Sequence, residues 1–127
     1  IKELEDIRTY VAVDGGMHDN PRPALYGSGY ETFVPSRVLD DRTSRITLVG
    51  KHCESGDVIV SDGYVPEGLR VGDIVATPVT GAYGHSMGSN YNKVLRPAAV
   101  FVNGGSDRLV IRRETLSDLI NTDMGIN

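Results

Sequence analysis

The sequence has a single cysteine, Cys53, so no intrachain disulfide can form. That excludes the stapled, secreted class of small domain. No apolar run approaches the roughly 18 residues that a membrane-crossing helix needs. The opening stretch, IKELEDIRTY, has no apolar segment of the kind a secretory signal requires. No Asn-x-Ser/Thr acceptor with a non-proline middle residue occurs. Basic charge is also in short supply. Thirteen Lys and Arg against seventeen Asp and Glu leave a net charge of −4, which argues against a dedicated nucleic-acid binder. The doublet Arg112–Arg113 is too short to reverse that and reads as a solvated strand edge. Together these absences point to the cytoplasm. The chain does not begin with methionine, and its first residues read as the frayed start of a piece of a longer protein.

What is present suits one compact domain of 127 residues. Hydrophobic residues make up 39%, enough to fill a core, and the charged share of 24% is ordinary for a globular chain. Fifteen glycines and six prolines punctuate short β-branched runs. TYVAV (9–13) ends in Asp14-Gly15-Gly16, a turn signal. YETFVPSRV (30–38), SRITLVG (44–50), DVIVSDGYV (57–65), GDIVATPV (72–79), AAVFVNGG (98–105) and RLVIRRE (108–114) continue the strand series. Asp62-Gly63 is a hairpin-type dipeptide, and Asn103-Gly104-Gly105 reads as a tight hairpin connection. The pattern is all-β. Several strands are apolar on both faces, which favours a closed barrel, although a sandwich has the same signature. Helix is expected in two places. Thr115 caps LSDLI with Asp118 three residues on, and Arg22–Tyr26 (RPALY) forms one turn with proline at its start.

Chemistry-bearing residues cluster unevenly. In GKHCESGDVIV (50–60) the lone thiol sits among polar neighbours, as a reactive cysteine does. His52, Cys53, Glu54 and Asp57 lack the paired spacing of a structural zinc site. Gly84-His85-Ser86-Met87-Gly88 matches the nucleophile-elbow motif of hydrolases, but all three histidines (His18, His52, His85) lie before the serine and Pro97 follows too soon. Gly27-Ser28-Gly29 begins like a dinucleotide fingerprint, but Thr32 stands where the third glycine belongs. Arg22 and Tyr26, four residues apart, share one side of a helical turn. A guanidinium fork and a phenol there suit a carboxylate ligand, against the plainer reading of a solvated arginine in a proline-rich loop. TGAYGHSMGSNYN (80–92) is a glycine- and serine-rich loop in which Tyr83 could meet a phosphate or a ring.

Taken in order, VDGGMHDNPRPALYG, GKHCESGDVIV, PVTGAYGHSMGSNYN and RPAAVFV resemble one family, the diaminopimelate decarboxylases, from about Arg8 to about Leu116. These are pyridoxal-phosphate enzymes of the alanine racemase-like type. The resemblance implies that residues 1–127 are a C-terminal, Greek-key-like β-barrel domain with a short C-terminal helix. It also implies an N-terminal α/β barrel, absent from this chain, whose lysine forms the Schiff base with pyridoxal 5'-phosphate. Lys2, Lys51 and Lys93 do not match that lysine, so the chain alone is expected to be inactive. The family forms homodimers with active sites shared across the interface. By motif, Cys53 matches the proton donor. Glu54 and Ser55 match groups at the distal end of the substrate, Arg22 and Tyr26 match substrate-binding residues, and Tyr83 matches a residue touching both cofactor and substrate.

These residue types suit the implied reaction, conversion of meso-2,6-diaminopimelate to L-lysine and carbon dioxide. A thiol with an ordinary pKa of about 8.5 is mostly protonated at neutral pH and can act as an acid. The far end of the substrate carries an ammonium, which Glu54 can pair, and a carboxylate, which Arg22 can pair. Two other readings stand beside this one. The first is a related decarboxylase acting on arginine, ornithine or carboxynorspermidine. The second is a non-catalytic β-barrel module for assembly.

Overall fold

The structure is a computed structural model that describes residues 1–125. Four strands form a mixed sheet in the order β1-β2-β3-β4: β1 (Lys2–Leu4), β2 (Arg8–Ala12), β3 (Ser44–Val49) and β4 (Val58–Val65). β1 and β2 are antiparallel, β2 and β3 parallel, and β3 and β4 antiparallel. A parallel neighbour cannot be reached by a tight turn. The chain therefore spends residues 13–43 crossing over, and that crossover contains α1 (Arg22–Tyr26) and a 3-10 turn at Pro35–Arg37. A separate two-stranded sheet pairs β5 (Ala99–Asn103) with β6 (Ser106–Ile111). Its connection is Gly104-Gly105, and both residues have positive φ (57° and 78°), as a type I′ hairpin demands. Two short helices complete the fold, α2 (Gly84–Met87) and α3 (Leu116–Leu119). No helix among the described residues is long and apolar enough to cross a membrane.

The all-β expectation holds, with few and short helices. Closure into a Greek-key-like barrel is not among the strand pairings of the described residues: β1 and β4 remain edges, and β5–β6 is a second sheet. Two expected strands are also missing. YETFVPSRV and GDIVATPV meet only at one isolated bridge, Phe33 to Ala76, closed by hydrogen bonds of 3.0 and 2.9 Å. Pro35 opens the 3-10 turn and has no N–H for a ladder. In the other segment, positive φ at Gly72 (99°) and Val79 (60°) bounds the extended run on both sides. The Asp62-Gly63 dipeptide makes no turn. β4 runs straight through it and absorbs the excess as a bulge: Ile46 faces Gly63 and Leu48 faces Val60, so β4 has one extra residue between those pairs.

The core lies against this sheet and consists of Val11, Val34, Ile46, Leu48, Val60 and Val65, with Val13, Tyr30, Ile59, Leu69 and Val75 partly buried around it. Burying each such aliphatic side chain contributes about 1.5–3 kcal/mol. The core is small for the chain, and the apolar residues left outside it are grouped. Val71, Ile74 and Val79 are 93%, 74% and 89% exposed, and Phe101 and Val102 on the hairpin are 71% and 77% exposed. Grouped exposure of this kind marks surfaces built to be covered.

Candidate active site

The parallel pairing of β2 and β3 sets the location of the site. Tyr10, Val11 and Ala12 lie beside Thr47, Leu48 and Val49, so the two strands end side by side and the loops after them leave from one end of the sheet. The pairing runs on briefly through Val13 N–H to the Val49 carbonyl (3.0 Å) and Lys51 N–H to the Gly15 carbonyl (3.2 Å). The loop after β3 is the β3–β4 hairpin connection, residues 50–57, which contains CESGD. It is closed at its base by Gly50 N–H donating to the Asp57 carbonyl at 3.0 Å.

Asp57 clamps the two loops together. Its side chain is 3% exposed. One oxygen accepts from the Met17 N–H at 2.7 Å and the other from the His52 N–H at 2.8 Å. The carboxylate sits where a side chain on Gly50 would have to be, 2.2–2.5 Å from the ideal Cβ position, so only glycine fits at 50. Cys53 is thereby carried on a turn fixed from below, with its thiol free and exposed. Glu54 folds back on the same turn: one carboxylate oxygen accepts from the Gly56 N–H at 3.2 Å and the Ser55 hydroxyl at 3.4 Å.

A second link joins the loops through two histidines that sequence reasoning used only to reject a hydrolase and a metal. His52 Nε2 lies 2.8 Å from His18 Nδ1, with the rings edge to face at 4.8 Å between centroids. His18 is 2% exposed. Its Nε2 is 3.2 Å from Asp19 Oδ1. On the outer side, Asn92 Nδ2 is 3.3 Å from His52 Nδ1, and the Tyr91 ring leans on His52 at 5.1 Å. The 80–93 loop is tied in by Ser89 N–H to the His18 carbonyl at 3.0 Å. Glu114 holds the far side of that loop, accepting from Asn90 Nδ2 at 2.6 Å, the Arg96 N–H at 2.8 Å and Arg96 Nε at 2.6 Å. The sequence signal for this cluster was the pair of histidines in two blocks, but nothing in their spacing says that they touch.

The remaining expected residues are placed as follows. Arg22 opens α1, and its guanidinium lies 5.4 Å from the Tyr26 ring centroid, so the two do share one side of the turn. Neither Arg22 nor the Tyr26 phenol makes a side-chain hydrogen bond or ion pair among the described residues, and none links this pair to the CESGD turn. Tyr83 caps α2 in the left-handed conformation (φ 63°) and is 72% exposed, with no hydrogen bond from its phenol among the described residues. Ser86, the serine of the elbow-like motif, is exposed on the single-turn helix α2 and donates to the Tyr83 carbonyl at 3.0 Å. Among the described residues no group of three or more His, Cys, Asp or Glu could hold a metal ion. Residues of α1 (Pro23 and Ala24) and Gly56 of the CESGD turn line one shallow cavity, but no side-chain hydrogen bond joins the α1 pair, Cys53 and Tyr83 among the described residues.

Two of the groups with shifted pKa values lie around these loops and make them acid-sensitive. Burial lowers the pKa of His18; Asp19 and Asp57 oppose that shift, and His52 and Lys51 add to it. The unfolded chain binds a proton here near pH 6.5 while the folded one resists it, so stability falls as pH drops below about 6.5. Glu114 is lowered to about 2, first by the Arg96 backbone N–H, then by the Arg96 side chain and Asn90. Its contribution is complete above its ordinary value of 4.5 and is lost as pH falls toward 2. Urea midpoints measured from pH 8 to pH 3 should therefore fall in two steps. His18→Asn should remove the upper step and leave the lower one; an unchanged upper step would rule out His18 as its source.

Comparison with known proteins gives this arrangement a family. The model of the pyridoxal-dependent decarboxylase C-terminal sheet domain matches residues 1–81, and the chain belongs to that family. Within it, the similarity is to diaminopimelate decarboxylases. The chain is 55% identical to that of Mycobacterium tuberculosis over 117 residues, 92% of this chain. It is 51% identical to that of Synechocystis over 122 residues, 96% of this chain. The crystal structure of diaminopimelate decarboxylase from M. jannaschii, also solved with L-lysine, superposes with a TM-score of 0.86 at 32% identity and covers 98% of this chain. The chain spans about a quarter of the length of these relatives, 26% of both sequences and 28% of the solved chain.

Proposed function

We propose that this chain is the C-terminal sheet domain of a diaminopimelate decarboxylase, which converts meso-2,6-diaminopimelate to L-lysine and carbon dioxide with pyridoxal 5'-phosphate. The observation that carries the reading is the CESGD turn: an exposed, free thiol on a loop anchored by a buried carboxylate, in a chain about half identical to enzymes of that name. Pyridoxal phosphate, when bound, supplies the electron sink for loss of carbon dioxide. Cys53 holds the proton at Sγ and delivers it to the carbon that has lost carbon dioxide. Glu54 meets the distal ammonium, and Ser55, already within reach of the same carboxylate, assists it. Arg22 and Tyr26 take the distal carboxylate, and Tyr83 meets cofactor and substrate.

In this reading an N-terminal α/β barrel carries the cofactor lysine and covers the exposed apolar residues of 71–79. Two copies form a cytoplasmic homodimer in which Cys53 and Glu54 of one serve the cofactor of the other. The sheet completes its barrel within that whole. The residue that separates diaminopimelate from simple diamines or their parent amino acids is Arg22, a cation with no ion-pair partner among the described residues. In the full-length protein, Arg22→Ala should raise KM for diaminopimelate by about 10- to 100-fold, since a hydrogen bond to a charged group is worth roughly 1.5–3 kcal/mol. Turnover of ornithine, arginine or carboxynorspermidine that Arg22→Ala leaves unchanged would replace this reading with that of a related decarboxylase.

A further inference from the structure

We propose that His18 and His52 are positioning residues for Cys53, acting through a one-way hydrogen-bond chain that runs Asn92, His52, His18, with the Asp19 carboxylate against its inner end. The inference rests on the reading of Cys53 as the proton donor. With both rings neutral, the charge of Asp19 favours one direction along the chain. The Asp19 carboxylate lies 3.2 Å from His18 Nε2 without hydrogen-bond geometry, and its negative charge favours the hydrogen on that nitrogen. His18 Nδ1 is then an acceptor, and the nitrogen 2.8 Å from it, His52 Nε2, must donate. His52 Nδ1 is in turn an acceptor, matched by the Asn92 amide at 3.3 Å. Both links, Asn92 to His52 and His52 to His18, then pair a donor with an acceptor, and both rings take the Nε2–H tautomer.

The placement ties this chain to the thiol. His52 is the residue directly before Cys53, and its backbone N–H is also held by Asp57. The turn is thus gripped at one residue from two sides, by Asp57 through the backbone and by His18 through the ring. Without the ring contact, the turn keeps its base but gains freedom at the residue next to the thiol. A displacement of about 1 Å at a reacting group costs up to about 100-fold in rate. The link also has a chemical limit. A proton added to His52 Nδ1 can be met by rotating the Asn92 amide to present its oxygen. A proton added to His18 Nδ1 sets two N–H groups against each other in a buried site and opens the chain. The charged and titratable groups facing His18 are Asp19, His52, Lys51 and Asp57. Those around His52 are His18, Asp57 and the Tyr91 ring.

The test uses the full-length holoenzyme. Nitrogen-15 spectra of histidine-labelled protein at pH 8 should show both rings as Nε2–H tautomers, and an Nδ1–H tautomer at either ring would overturn the chain without any variant. His18→Ala and His52→Ala should each lower kcat by about 10-fold or more, with KM within about 2-fold. The double variant should be little worse than either single one, because the pair acts as a unit. His52→Gln, which keeps a donor for His18 Nδ1, should recover part of kcat. A normal kcat in His18→Ala beside an inactive Cys53→Ala sinks the positioning role alone. Full turnover in Cys53→Ala sinks the proton-donor reading, and this inference with it.

Discussion

Cys53→Ala in the full-length protein should lower kcat by about 100-fold or more, the usual contribution of a positioned general acid, and leave cofactor absorbance and KM nearly unchanged. The reason lies in where the thiol stands. It is exposed and free, it has no structural partner, and the turn around it is anchored by groups other than itself. Removing one sulfur atom from an exposed position should not disturb the fold, so lost turnover would report chemistry. Single-turnover measurements sharpen the test. If Cys53 delivers the proton, release of carbon dioxide should be slowed less than appearance of lysine. A kcat within about 3-fold of the unmodified protein would remove Cys53 from the mechanism.

Asp57→Ala should destabilise the folded protein by about 2–5 kcal/mol, the cost of stranding two buried backbone donors. The carboxylate is 3% exposed and satisfies two backbone N–H groups from different loops, Met17 at 2.7 Å and His52 at 2.8 Å. Alanine would strand both donors in the interior, at about 1–3 kcal/mol each, and leave the space beside Gly50 unfilled. Asp57→Asn keeps the shape but turns an amide N–H toward one of the two donors, so it should rescue only part of the loss. Denaturant unfolding measures both variants. Activity adds a second readout, because the CESGD turn loses its anchor before the whole domain unfolds. A shift of less than about 0.5 kcal/mol in Asp57→Ala would mean that the two N–H groups find other partners.

Much of the local structure was legible. β2, β3, β4 and the β5–β6 hairpin fall where apolar runs and the Gly104-Gly105 turn put them. The helix at Leu116–Leu119 has the expected capping box between Thr115 and Asp118, and RPALY makes its one turn. The misreadings share a cause. Asp62-Gly63 has the chemistry of a turn, but β3 pairs with β4 on both sides of it, and the ladder overrides the dipeptide by bulging. YETFV and GDIVATPV have strand composition but find only one pairing partner, and a strand without a ladder is not stable. β1 (Lys2, Glu3 and Leu4) buries none of its residues and exists because β2 offers it an edge. Short-range propensity was outweighed in each case by what lay beside the segment.

The candidate site divides the same way. Cys53, Glu54, Arg22, Tyr26 and Tyr83 were recognisable as residue types in blocks that resemble a family, and the family membership follows from the comparisons. The role of Asp57 was not recognisable, because a carboxylate in a polar turn normally faces water, and only the packing shows it inside. The contact between His18 and His52 spans 34 positions, and that between His52 and Asn92 spans 40. No local signal reaches so far.

By itself, then, the sequence determined the strand-rich class, the caps and turns, the exclusion of a disulfide and the family blocks, since each of these depends on neighbours within a few residues. The tertiary structure alone decided that the loops after β2 and β3 meet. Parallel pairing brings the ends of those strands to one side, and there the buried Asp57 and the two histidines can grip the turn that carries Cys53.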